Sequence, residues 1–157
     1  MVWGVTLFGL PALLVELERR AGVSGFHFAG QRALAVGLFI AASTLNLTTG
    51  GLLAVIGRGT PLPLACPQSL VLSGPYRYIR NPMALAGIAQ GVAVAIWLGS
   101  WTVLLYAAAG AAFWHVAIRP VEERDLVARF GPAYESYRRA VPLWWPRLRP
   151  RLHESLP

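Results

Sequence analysis

The chain of 157 residues has no lysine, and its charged side chains make up only 13% of it. A soluble domain carries about a quarter. Charge is missing in blocks. Between Gln31 and Arg77 the only charged residues are Arg32 and Arg58, and from Asn81 to Ile118 there is none. Such a run can cross a bilayer twice at about 20 residues per crossing. An ordinary soluble domain is thereby excluded, and residues 1–157 read as a single membrane domain. Cysteine is nearly absent too. Cys66 stands alone, which excludes an internal disulfide, and it reads as a small loop residue rather than a nucleophile. His27, His115 and His153 are scattered, so with Cys66 they offer no metal-ligand spacing, and no metal is expected. The opening MVWGVTLFGL has no basic segment and no clear cleavage site, so it is expected to stay as an anchor.

What the chain does have is apolar side chain, 55% of its residues. Four apolar runs, at about residues 2–17, 33–56, 82–98 and 100–118, predict an all-α polytopic membrane protein with about four transmembrane helices. Pro11 predicts a kink in the first span. Ser43, Thr44 and Asn46 make the second span too polar to face lipid all round, so one face should pack on protein. Gly99-Ser100 predicts a tight hairpin between spans three and four. Gly87 and Gly91, with AAAGAA at 107–112, offer smooth surfaces for close helix contact. The connection 57–81 is long and rich in Gly and Pro, and a loop of that kind in a compact domain is usually functional. After Pro120 comes an amphipathic, basic and aromatic tail, 119–157. It reads as a helix over Val121–Phe130, a break at Gly131-Pro132 and a second helix over Ala133–Ala140, with Trp144 and Trp145 at the interface.

The net charge is +7, all of the cationic side chains being arginine. A basic balance often means nucleic acid. Here the arginines sit at the ends of apolar runs, so the bilayer is the expected partner and nucleic acid is not. With four spans, eleven arginines (Arg58, Arg77, Arg80 and the eight from Arg119 on) share one side, against Arg19, Arg20 and Arg32 on the other. That asymmetry places both termini, the 57–81 loop and the tail in the cytoplasm.

The segment GPYRYIRNPM, at 74–83, brings polar chemistry to the mouth of span three. Asn81-Pro82 is a helix start, with Asn as cap and Pro at the first position. A helix N-terminus attracts carboxylate or phosphate, and Arg77 and Arg80 add full charges. Anchoring to headgroups explains these arginines equally. At the end of span four stand Arg119, Glu122 and Glu123. They fit a helix dipole, but acidic residues at membrane depth usually face a cavity or partner. If the hairpin brings the two clusters together, the pocket suits an amphoteric ligand, carboxylate on one side and ammonium on the other.

SLVLSGPYRYIRNPM, followed by EERDLVARFGPAYESYRRAVPLWWPR, resembles the isoprenylcysteine carboxyl methyltransferase and phospholipid methyltransferase superfamily. The likeness covers about residues 68–149. It implies an integral membrane methyltransferase that uses S-adenosyl-L-methionine as cofactor and a lipophilic or membrane-embedded acceptor, such as an isoprenylcysteine carboxylate or another small lipid or thiol. It implies that Gln68, Ser69, Leu70, Val71 and Tyr76 line the nucleotide, together with Arg80, Asn81, Pro82, Met83 and Ala84. It puts Glu122, with Glu123 beside it, on the cofactor, and Arg119 on the acceptor. Where the family has histidine and tyrosine, this chain has Asn81 and Ala84.

Methyl transfer is an in-line displacement, so alignment is the main task. A carboxylate or thiolate acceptor needs no base. An amine would, and His115 is the only nearby histidine, although helix packing accounts for it as well. Tyr134, Tyr137 and Arg138 share a face of the tail helix, either as a lid or as a membrane-surface contact. Two rival readings stay open. One is an NADPH-dependent membrane reductase of sterol-reductase-like architecture, although no G-x-G-x-x-G occurs. The other is a non-catalytic membrane partner with the same fold, for which Asn81 and Ala84 speak.

Overall fold

The computed structural model describes residues 4–58 and 67–146. Cys66, His153, the start of the first expected span and the middle of the 57–81 loop lie outside the described residues. Within them every regular element is helical and no strand occurs. The elements are α1 (Leu10–Arg20), α2 (Gln31–Val55), a 3-10 turn (Gly74–Arg77), α3 (Pro82–Leu98), α4 (Trp101–Phe113) and α5 (Arg119–Ala140). Two stretches, Gln31–Val55 and the continuous helical run Trp101–Ala140, are long and apolar enough to cross a membrane, and Pro82–Leu98 is a shorter apolar helix. Large apolar side chains point outward along them: Leu47 is 78% exposed and Leu105 71%. In water such a surface would be an aggregation hazard; in lipid it is the solvated face.

Two π turns, Val5–Gly9 and Trp114–Ile118, each end two residues before a proline, Pro11 and Pro120. Proline lacks an N–H and its ring crowds the carbonyl four residues back. Widening the turn relieves that crowding and keeps the bonds going: Leu10 N–H reaches Val5 O and Arg119 N–H reaches Trp114 O. The disturbance expected at Pro11 takes this form. The break expected at Gly131-Pro132 is a kink inside α5, where Gly131 adopts φ 49°, ψ −128°, a conformation that only glycine enters readily.

The described chain forms two compact units. The first comprises the residues up to Thr44 together with Ala86–Ala112. Its core is Val94, Ala95 and Val103, with Leu14, Val15, Phe39 and Leu104 packed on them. The expected hairpin is there: Gly99, at φ 63°, turns the chain, and Ser100 caps α4 by accepting Val103 N–H at 3.1 Å. Ser100 Oγ also donates to the buried carboxylate of Glu18. Gln31 closes the end of α3 by donating to Ile96 O at 2.6 Å. Gln90 donates to Ser43 Oγ at 2.9 Å, so part of the polar face of the second span does pack on protein. An apolar cavity of about 390 Å³ lies in this unit, lined by Phe8, Phe39, Trp97 and their neighbours. None of the expected site residues lines it, so it is not the candidate site.

Small residues hold α3 against α4. A Cβ placed on Gly91 would meet Ala107 Cβ at 3.3 Å. Gly91→Leu should therefore overpack this contact and cost about 1–3 kcal/mol. Unfolding of the variant in mixed micelles measures it, and an unchanged midpoint would show that the two helices are not held there.

Candidate active site

The second unit comprises Leu45–Leu85 and the residues from Phe113 on. It is built on loop segments clamped by local bonds. The carbonyl of Gly57 accepts Gln68 N–H at 2.7 Å and Ser69 N–H at 3.2 Å. Leu70 and Leu72 then pack on a buried cluster of Tyr134, Tyr137 and Val141. Val71 is buried as well, whereas Gln68 and Ser69 are exposed. Tyr137 donates its hydroxyl to Tyr76 O at 2.8 Å. The tail helix thus meets the loop through its tyrosines, which are 3% exposed. Sequence spacing put Tyr134, Tyr137 and Arg138 on one face; their shared partners could not be read from it.

Asn81 caps α3 as expected. Its Oδ1 accepts Ala84 N–H at 3.0 Å, and Pro82 is fully buried behind it. The same side chain donates Nδ2–H to Glu122 Oε2 at 3.3 Å. This is the task asparagine performs where the family resemblance would place histidine. Met83 and Ala84 follow in the first turn of α3, both partly exposed.

The two adjacent glutamates have opposite surroundings. Glu123 is ringed by guanidinium groups: Arg80 Nη1 at 2.9 Å from Oε1, and Arg119 and Arg138 at 3.4 and 3.8 Å from Oε2. Arg80 is also held by its backbone, whose N–H donates to Pro142 O at 3.0 Å. Its Nε is buried with no hydrogen-bond partner among the described residues. Glu122 has no arginine partner among the described residues. Its one side-chain bond is from Asn81, and Oε1 has no partner among the described residues. These groups lie outside the apolar segment, which ends at Ile118. Burial pushes the Glu122 carboxyl above the usual range; the Asn81 bond opposes this and the Glu123 charge adds to it. Burial, and then the Glu122 charge, push the Tyr76 phenol up to about 12. Tyr134 and Tyr137 are raised as well, burial being the main cause for both. All three phenols stay neutral donors at physiological pH.

The structure therefore brings Arg80, Asn81, Arg119, Glu122 and Glu123 into one connected cluster. It sets Tyr76 near enough for the Glu122 charge to be felt, while Gln68 and Ser69 are held by the Gly57 carbonyl, with no bond joining them to the cluster among the described residues. Two participants were missed in sequence. Arg138 joins Glu123 from the far end of α5. Trp144, expected only as an interface residue, donates Nε1–H to His115 Nδ1 at 3.3 Å. The i, i+4 spacing of His115 and Arg119 was the available signal: Arg119 Nε donates to His115 O at 3.2 Å.

Chemically, the cluster offers a carboxylate with an open oxygen beside an arginine with an open donor. It can hold an ammonium and a carboxylate of one small molecule. Among the described residues no group of His, Cys, Asp and Glu could hold a metal.

The family profile for phospholipid methyltransferases matches residues 30–133. A curated relative, methanethiol S-methyltransferase 2 of Bradyrhizobium diazoefficiens, is 41% identical over 76 residues. The match covers 46% of this chain and 27% of the relative, so the chain corresponds to about a quarter of that protein's length. No solved structure matches.

Proposed function

The chain belongs to the phospholipid methyltransferase family, and from that premise we propose that it transfers the methyl group of S-adenosylmethionine to a small lipophilic thiol in or at the membrane. The observation that carries the reading is the unequal treatment of the two glutamates. Glu123 is neutralised by three arginines, whereas Glu122 keeps an open oxygen. A half-buried carboxylate with no cationic partner is a site for a ligand's ammonium. The thiol is favoured by the relative whose name specifies methanethiol.

S-adenosylmethionine fits the residues present. Glu122 would take its ammonium and the open Arg80 Nε–H its carboxylate. Tyr76, with the strip Gln68, Ser69, Leu70 and Val71, would flank its adenosine, and Pro82, Met83 and Ala84 would form the floor at the start of α3. When bound, the cofactor supplies an electrophilic methyl on a sulfonium. The chain contributes alignment and charge. Glu122 is fixed by Asn81, and Arg119 is fixed by Glu123 and His115 O with its second face left for an anionic acceptor. The chain has no G-x-G-x-x-G, which favours the methyltransferase reading over a reductase.

Calorimetry on detergent-purified protein with S-adenosylmethionine, S-adenosylhomocysteine and NADPH tests this directly. Micromolar binding of the first two and none of the third is expected. NADPH binding alone would bring the reductase forward, and binding of none would leave a non-catalytic partner.

The same titration repeated against pH gives a further prediction. Glu122 must be ionised to hold an ammonium, and its folded-state value lies above the ordinary carboxylate value of 4.5. Affinity should therefore begin to fall on acidification at a pH above 4.5, by about tenfold per unit once the carboxyl is mostly protonated. In that window binding should release a proton. An affinity that stays flat down to pH 4.5 would remove Glu122 from the ammonium site.

A further inference from the structure

One polar side chain of the apolar segment has no task in this scheme. His115 lies in the π turn Trp114–Ile118, and its ring accepts the indole N–H of Trp144 at Nδ1. Trp144 is in turn held edge-on against Trp114, ring centres 5.5 Å apart. An indole nitrogen only donates. Nδ1 must therefore present its lone pair, and the neutral ring carries its proton on Nε2. That Nε2–H is the ring's remaining polar group and has no partner among the described residues; the residue is only half-buried. The carbonyl of the same residue accepts Arg119 Nε–H. Two donors, one neutral and one cationic, are thus fixed to a single turn. Polar side chains at membrane depth face a partner or a cavity, and π turns gather at functional sites.

We infer that His115, in the tautomer fixed by Trp144, donates a hydrogen bond from Nε2 to the acceptor's anionic atom and does not act as a base, which restricts the reaction to acceptors that ionise to anions. This rests on the methyltransferase reading above. With a thiol, the proton leaves to water before reaction, and the thiolate is the form that reacts. Hydrogen bonds to the anion favour that form, and the Arg119 charge adds to them. The thiolate sulfur then gives its electron pair to the methyl carbon, while the old carbon–sulfur bond breaks and leaves its pair on the departing sulfur. The products are a thioether and a neutral sulfide, and no proton moves in the step. An amine differs. It gains positive charge as it takes the methyl, and a site that presents an N–H donor and the Arg119 guanidinium disfavours that charge.

The test combines a spectrum with an acceptor comparison. In micelles, ¹⁵N shifts of the histidine rings, with His115 assigned by its loss in His115→Gln, should show a proton on Nε2 and none on Nδ1. Trp144→Phe should return the ring to a tautomer mixture. In parallel, methyl transfer is measured to ethanethiol and to ethylamine. Glutamine keeps an N–H donor and cannot take a proton; leucine keeps neither function. His115→Gln should stay within about threefold of the parent on ethanethiol, His115→Leu should lose about tenfold or more, and ethylamine should not turn over. A proton on Nδ1, equal loss in both variants, full activity in both, or ethylamine turnover would each overturn the inference. Cofactor binding on the same samples separates the levels. With S-adenosylmethionine bound, any of those results sinks the donor role alone; a parent protein that binds no S-adenosylmethionine sinks the methyltransferase reading and the acceptor claim with it.

Discussion

Glu122→Gln is expected to weaken S-adenosylmethionine binding by about 30-fold or more while leaving the protein no less stable than the parent. Truncating one partner of a hydrogen-bonded charge pair costs about 2 kcal/mol or more of binding, and each 1.4 kcal/mol is about tenfold. The stability half of the prediction follows from the direction of the carboxyl's shift. A group whose folded value is raised favours the fold below its unfolded value, and that contribution is lost as pH rises through the folded one. At neutral pH the ionised Glu122 is therefore tolerated by the fold rather than wanted by it, burial being the main reason. Glutamine removes the charge and keeps an oxygen for Asn81. Calorimetry and a thermal melt on one preparation decide the matter. A variant that binds as tightly as the parent would detach Glu122 from the cofactor, and one that melts well below it would make Glu122 a structural residue.

Its neighbour should behave in the opposite way. Glu123→Gln is expected to lose about 3–5 kcal/mol of stability, because it strands guanidinium groups that have no other carboxylate partner among the described residues. The Arg80 and Glu123 side chains are only 14% and 16% exposed and meet at 2.9 Å, so water can do little to replace the lost charge. Arg119 and Arg138 are farther and more exposed, and contribute less. The double variant Arg80→Met/Glu123→Gln should recover part of the loss, since it removes the buried cation as well as its partner. Chemical denaturation in micelles measures all three. If Glu123→Gln proves no more harmful than Glu122→Gln, the arginine ring is not what holds the second unit together. The expected result separates the two neighbouring glutamates by experiment, one lost to binding and one lost to folding.

That division of labour shows where sequence reading stopped. Hydrophobic runs and punctuation carried the helices: α3 covers Pro82–Leu98 as the apolar run foretold, and the Asn81 cap, the Gly99 turn and the kink at Gly131 all sit where their residue types demanded. Each is a local effect, decided within one or two turns. The site is decided otherwise. Glu122 and Glu123 are adjacent, so composition and motif treat them alike, yet helical geometry turns neighbours about 100° apart. Which one meets Arg80, 43 positions away, depends on how the first part of α5 is rotated, and Leu126, Val127 and Phe130 on that part pack on the tyrosine cluster. The bond from Trp144 to His115 was hidden for a related reason. A tryptophan near a membrane surface already has a sufficient explanation, so nothing in the sequence asked for a second one. The π turns were half legible, since the prolines were visible but the widened turn that accommodates each was not.

The make-up of the two units also fixes an order of assembly during synthesis. Every residue of the first unit has been translated once Ala112 is added. The second needs the chain much further on: Val141 is part of its buried cluster, and Pro142 O holds the backbone of Arg80. A ribosome that stalls between Ile118 and Ala140 leaves a product whose apolar helices are made and whose glutamate site is unbuilt, with Arg80 lacking its backbone partner. Domains generally fold in the order in which they emerge. Here that order completes the apolar part first and leaves the polar part until the last helix has been made.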